Sequence, residues 1–436
     1  MRRETSFKIV IAVILIFIFG FYMWLRIENS KTIREPRATF GDVHEYFAVS
    51  SFPITSSSFW IAVRPPTIPL LFKVIGNDVT RIWKFQLWLS ILSWGILALA
   101  ITKVIRSYLV KPVAFAFVLA FSLSQEIIMW DYLIISESIA ISIMALLFAS
   151  VILLLEKWNC PRMFLFGLTG LLFVFTKDAF AYFLLMAAFG LFFLILFIPN
   201  KRQLFFVGTY LILLFLLSNA LASVSMRWYP SLLYTFNMRI LSNPQYVRYF
   251  ESRGMPIDAN LLEQRDYHLS PDDIALVNDQ DFRDWIAEFG QREYIRFLWF
   301  YKADSLQNIF EDIYLLISPD LFYYSATGFT PIIKDTRLDE VLYPTRFGIF
   351  TFLAANLFAA VSSVWAFYER KHMWLLPILL IILSYPQAVF IWNADANEIG
   401  RHSLFHNIQW RLGLWLLALF VTDFVIEKKK LAHVQD

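Results

Sequence analysis

Long apolar runs alternate with short polar breaks along the chain. Neither the period-2 alternation of a half-buried strand nor the 3.6-residue stripe of a soluble helix organises them. A helix rises about 1.5 Å per residue, so about 20 residues cross about 30 Å of hydrocarbon. Runs of this kind lie near 7–25, 84–105, 112–130, 134–155, 162–178, 179–198, 204–224, 346–368, 373–392 and 404–425. The pattern predicts an all-α polytopic membrane protein of about ten transmembrane helices. Residues 122–126 polarise the end of the third run, and Lys177-Asp178 falls between the fifth and sixth. An unpaired charge at mid-bilayer costs several kcal/mol, so that pair is placed at the turn of a hairpin.

Composition agrees with a membrane class. The chain is 58% hydrophobic and 17% charged, against about 45–50% and about 25% in soluble domains. It shows neither a basic stripe with interleaved aromatics nor a zinc-ligand spacing, so nucleic acid is not an expected partner. The single cysteine, Cys160, forms no internal disulfide. The first run follows Met1-Arg2-Arg3, is too long for a signal-peptide core and lacks a small-x-small cleavage site; it reads as a retained anchor helix. With the N-terminus inside, the connections assigned to the cytoplasm carry Lys103/Arg106/Lys111, Lys157/Arg162, Lys201/Arg202, Arg370/Lys371 and the tail Lys428-Lys429-Lys430. That is the positive-inside pattern, and it puts the C-terminus in the cytoplasm too.

Three parts result: an N-terminal transmembrane module, 1–224, with a first loop at 26–83; a mainly helical non-cytoplasmic loop domain, 225–345; and a C-terminal transmembrane module, 346–436. Within the loop domain, 258–296 is rich in charge, and Ser270-Pro271-Asp272-Asp273 reads as a capped helix start. The non-cytoplasmic mouth collects Asp42, His44, Glu45, Arg64, Glu126, Asp131, Glu137, Lys177, Asp178, Glu398, Arg401 and His402 at helix ends. Cations there hold a lipid-linked phosphate at headgroup depth, and a carboxylate deprotonates an incoming hydroxyl. Plainer roles stand beside these. Asp42 caps a juxtamembrane helix, Glu137 complements a helix dipole, Arg64-Pro65-Pro66 forms a rigid turn, and Lys177 pairs with Asp178. His402 and His406 sit four apart without a further ligand, and Asp42-x-His44-Glu45 is a better frame for a divalent cation.

Gly41-Asp42-Val43-His44-Glu45-Tyr46 after an N-terminal helix resembles the acidic first loop of GT-C glycosyltransferases, in their protein O-mannosyltransferase-like and bacterial lipid-linked-sugar branches. Arg64-Pro65-Pro66-Thr67-Ile68-Pro69-Leu70-Leu71 resembles the stretch that follows in that loop, and Ile135-Ser136-Glu137-Ser138 the opening of the fourth span. Phe175-Thr176-Lys177-Asp178 stands where members carry Arg-Pro or Lys, and Glu398-Ile399-Gly400-Arg401-His402 is similar to a late Glu-x-x-Arg segment. The likeness covers the membrane scaffold and not 225–345. It implies an inverting transferase in a bacterial inner membrane with its site facing outward. The donor would be a polyprenyl-phosphate sugar, and the acceptor a glycan, lipid or protein hydroxyl.

In that picture Asp42, Glu45 and Glu137 form the catalytic set. Asp42 is the base, Glu45 its understudy, and Glu137 positions Asp42's partners or the sugar. Tyr46, Arg64, Lys177, Asp178, Glu398, Arg401 and His402 bind substrate. A metal is not required, although a divalent cation is compatible with the first-loop motif. Competing readings are a polysaccharide polymerase or ligase gripping a lipid diphosphate through Arg239, Arg248, Arg253 and Arg265, a transporter or flippase, and a structural membrane protein.

Overall fold

The computed structural model describes residues 2–38, 41–195, 201–257, 279–333, 337–369 and 372–435. Among the described residues the chain is helical, and its extended pairing is a single parallel bridge between Arg37 and Leu133. Seven helices are long and apolar enough to cross a membrane: Phe7–Ser30, Val79–Val104, Ser136–Glu156, Lys201–Val224, Gly348–Tyr368, Leu375–Ala394 and Ile399–Lys430.

The other three apolar runs fold differently from a straight span. The third is a pair, Val110–Phe121 and Gln125–Tyr132, bent by 60°. Ser124 breaks it, with an extended ψ of 142° where a helix needs about −40°. The fifth and sixth form the shorter helices Cys160–Val174 and Ala179–Ile195, of 15 and 17 residues. At 1.5 Å per residue these reach only about 22 and about 26 Å, because the 176–178 turn between them takes residues that the apolar pattern assigns to a span.

Burial sorts the helices. Phe7–Ser30 is only 6% buried in its most apolar stretch, so Ile9, Val13, Ile16 and Phe17 face outward, as on a lipid-facing rim. Ser136–Glu156 is 78% buried and is the central post. It packs against Val79–Val104 and Cys160–Val174. Its two ends carry different chemistry. Glu156 binds Lys103 at 3.2 Å and Arg162 at 3.0 Å. Lys428 meets Glu369 at 3.0 Å, and the Asp423 carboxylate accepts the backbone N–H groups of Arg106 and Ser107. Glu137, nineteen residues before Glu156 on the same helix, meets an entirely different set of partners. Those two levels lie about 29 Å apart along the helix axis, close to the thickness of a hydrocarbon core.

The segment 225–345 is helical where described, with Tyr229–Thr235, Pro244–Glu251, Gln280–Trp285, Gln291–Phe300, Lys302–Glu311 and Ile313–Ile317. It has an aromatic core of its own around Phe236, Phe250, Phe282, Trp285 and Phe297. The helix start expected at Ser270-Pro271-Asp272-Asp273 and the Arg370/Lys371 pair lie outside the described residues.

Candidate functional site

The first loop folds as the helix Gly41–Ser51, followed by a turn and the helix Thr67–Ile75. Asp42 and Glu45, three residues apart, share one face of the first helix. Arg64 takes both: its Nη2 stands 2.5 Å from Asp42 Oδ1, and its Nε donates to Glu45. Pro65 and Pro66 stiffen the chain beyond Arg64, and the next residue anchors it. Thr67 N donates to Phe175 O at 3.1 Å, and its hydroxyl to Leu172 O at 3.2 Å. The Arg64 turn is thereby fastened to the turn that carries Lys177.

Glu137 lies in the first turn of the central helix with its side chain fully buried. It accepts from Lys177 Nζ at 2.5 Å and from Arg401 Nε at 2.7 Å, both on Oε1. Arg401, at the start of the last helix, spends its other two nitrogens on Glu398 at 2.8 Å and on Asp42 Oδ2 at 2.7 Å. Glu398 adopts φ +50°, a left-handed conformation that costs a residue with a Cβ. It also accepts the Tyr324 hydroxyl. Five separate pieces of chain therefore meet through one arginine: the first-loop helix, the Arg64 turn, the central helix, the 177 turn and the last helix.

The electrostatics follow from this list. Arg64, Lys177 and Arg401 face Asp42, Glu45, Glu137 and Glu398, so three cations meet four carboxylates. Burial raises the proton affinity of Asp42, yet Arg64 and Arg401 outweigh it and hold the carboxyl below its ordinary range. The open edge of the cluster is Arg64, 29% exposed, Asp42, 24%, and Lys177, 15%. An incoming group with several anionic oxygens would reach these three before the buried Glu137.

Not every expected residue joins. Tyr46 is buried, with its ring against Phe72 and beneath the Arg64 guanidinium, so it supports Arg64 and offers no face to a substrate. Asp178 is taken by Arg227 through two bonds of 2.8 and 3.0 Å. It ties the hairpin turn to the start of the loop domain and does not pair with Lys177. His402 is partly exposed, 3.6 Å from Asp395. Asp131 is buried against Arg26 and accepts the Ser138 hydroxyl at 2.6 Å, and Glu126 is buried apart from the cluster. His44 points outward, while Asp42 and Glu45 are spent on Arg64, so the Asp42-x-His44-Glu45 frame does not converge. Among the described residues no three His, Cys, Asp or Glu side chains are grouped to hold a metal ion.

Tyr324, Arg227 and Asp395 are the partners that sequence reasoning did not single out. Each lies in a segment without a motif, and only folding brings it to the site. Comparison with protein-family models, with curated proteins and with solved structures finds no match to this chain.

Proposed function

We propose that the protein is a membrane-embedded glycosyltransferase of the GT-C type, with ten spans and both termini in the cytoplasm. It moves a sugar from a polyprenyl-phosphate donor to an acceptor hydroxyl on the outer face of a bacterial inner membrane. One observation carries this reading: Asp42, Arg64, Glu137, Lys177 and Arg401, from five pieces of chain, converge at one end of the bundle. The basic loops that favour the cytoplasm gather at the other end. Such one-ended clustering suits headgroup chemistry better than a transport path. The loop arginines Arg239, Arg248 and Arg253 are occupied within the loop domain and its junction, which favours one phosphate over two.

In the proposed reaction the acceptor oxygen attacks the anomeric carbon from the face opposite phosphate, so configuration inverts. The carbon–oxygen bond to phosphate breaks, and its electron pair stays on the phosphate oxygen. Arg64, Lys177 and Arg401 neutralise that charge, and Asp42 receives the acceptor's proton. Glu137 is a positioning residue: it holds Lys177 and Arg401 together without touching substrate.

The test is release of polyprenyl phosphate by purified protein from a panel of polyprenyl-phosphate hexoses and pentoses, with soluble and lipid acceptors present. Release from at least one donor is expected, reduced at least tenfold in Lys177→Ala. A monodisperse protein that releases nothing from the panel, or a Lys177→Ala variant with wild-type release, would overturn the reading.

A further inference from the structure

The loop domain and the end of helix Leu375–Ala394 enclose a second cavity, of about 300 Å³, separate from the ion-pair cluster. That volume is at the lower end of small-molecule sites, which run about 300–1,000 Å³. Its lining mixes aromatic rings, Tyr246 and Tyr301, with Arg239, Asn308, Glu311 and Asp312. The polar groups are held in place. Arg239 lies 3.7 Å over the Trp392 ring and donates to the Trp392 carbonyl. Its Nη2 is left buried with no acceptor in hydrogen-bonding geometry. Asp312 accepts Trp392 Nε1 on one oxygen at 2.8 Å and keeps the other for a ligand.

We infer that this cavity binds a neutral saccharide unit, a hexose or N-acetylhexosamine, and that it holds the acceptor glycan. Sugar hydroxyls both donate and accept, which matches an arginine and an amide beside two carboxylates. The apolar faces of a pyranose match aromatic rings. A phosphate is disfavoured by Glu311 and Asp312 beside a single arginine, and a lipid tail by the polar lining. The cavity also borders the candidate site. Asn393 lines it, and two residues on, Asp395 accepts the Ser231 hydroxyl at 2.9 Å and stands 3.6 Å from His402, the neighbour of Arg401. The acceptor role rests on the glycosyl-transfer reading; saccharide binding itself does not.

Two measurements separate them. Full-length protein in nanodiscs is titrated by saturation-transfer NMR with glucose, galactose, mannose, N-acetylglucosamine, maltose and chitobiose. At least one is expected to bind, and both Asp312→Asn and Arg239→Gln to weaken it at least tenfold. Asn308→Ala, a milder change on the same lining, is expected to weaken it several-fold in a protein that elutes as a single species. Binding by none of the six sugars, or binding unchanged in all three variants, overturns the proposal. Transfer is then measured with the bound sugar as acceptor: Asp312→Asn is expected to raise the acceptor KM at least tenfold with the donor KM unchanged. Saccharide binding with no transfer by wild-type protein would defeat the acceptor role and the transferase reading while the binding site stands.

Discussion

Arg401 sits in the first turn of the last helix, where the helix dipole opposes a cation. Only the carboxylates of Asp42, Glu137 and Glu398 make the position tolerable. Such an arrangement weakens the helix start to serve the cluster. Truncation at Arg401 strands the buried Glu137, and breaking a buried pair costs about 3–5 kcal/mol. Arg401→Ala is therefore expected to lower the Tm strongly, and Lys177→Ala less, since Arg401 still holds Glu137; differential scanning fluorimetry checks the order. For the proposed reaction, Asp42→Asn is expected to cut transfer by about 10²–10⁴-fold at equal membrane levels, with Glu45→Gln milder. Near-normal turnover in Asp42→Asn would remove its role as base. Two arginines make resting Asp42 a weak base. A donor phosphate that draws them off raises its basicity, so the acid limb of kcat should lie at higher pH than that of kcat/KM. The stability that Asp42 contributes is complete above the ordinary carboxylate range and is lost as pH falls through it. Asp395 runs the other way. Burial raises its carboxyl from 3.8 to about 6, so stability falls as pH rises through that window. Asp395→Asn should remove that slope and raise the Tm above pH 6; a variant whose Tm tracks wild type from pH 4 to 7.5 would contradict the linkage.

At the level of elements, long apolar runs were legible because each is an uninterrupted helix signal that needs no partner to be recognised. Their ends were less so, since tertiary partners decide them. The first run fades at 25, yet its helix continues to Ser30, because Arg26 finds the buried Asp131 and the Tyr22 and Ser90 hydroxyls. The second begins at Val79, five residues before its apolar run, where the Asp78 carboxylate caps the helix by accepting Arg81 N at 2.8 Å. The bend at Ser124 and the allegiance of Lys177 to Glu137, with Asp178 turned to Arg227, are contacts across the fold that no spacing encodes. Close helix approach is equally silent in the sequence. A Cβ on Gly413 would meet the Leu380 Cβ and the Pro377 carbonyl oxygen at 3.0 Å each. The last helix and Leu375–Ile382 thus touch through backbone, the use that membrane bundles make of small residues. Gly413→Val is expected to cost about 1–3 kcal/mol through overpacking, read as a lower Tm in detergent. Gly20→Val should stay near wild type, because nothing lies within 4 Å of its Cβ.

Across the whole molecule, the alternation of basic connections with apolar runs and the two polar levels of the bundle are independent arguments for one orientation. The first uses sequence alone. The second comes from packing, where Glu156 gathers Lys103 and Arg162 while Glu137, near the other end of the same helix, gathers Lys177 and Arg401. Parity was legible in the sequence because every missed or added crossing moves half of the basic residues to the wrong side. The physical form of the third, fifth and sixth crossings was not, since hydropathy does not distinguish a straight span from a bent or shortened one. The loop domain joins the same end as the ion cluster through Arg227 with Asp178 and Ser231 with Asp395. The single cysteine makes the orientation testable without further engineering at one face. Cys160 is exposed at the end that holds Glu156 and Arg162. In intact cells an impermeant maleimide is expected to leave it unlabelled until the membrane is opened. Gln307→Cys, exposed on the loop domain in a Cys160→Ser background, is expected to label from outside in the same cells. Labelling of both residues from one face would break the ten-span arrangement, because an odd number of crossings must separate them. Labelling of Gln307→Cys only from the cytoplasm would invert the bundle and bring the ion cluster to the cytoplasmic leaflet, where a donor facing the cell exterior could not reach it.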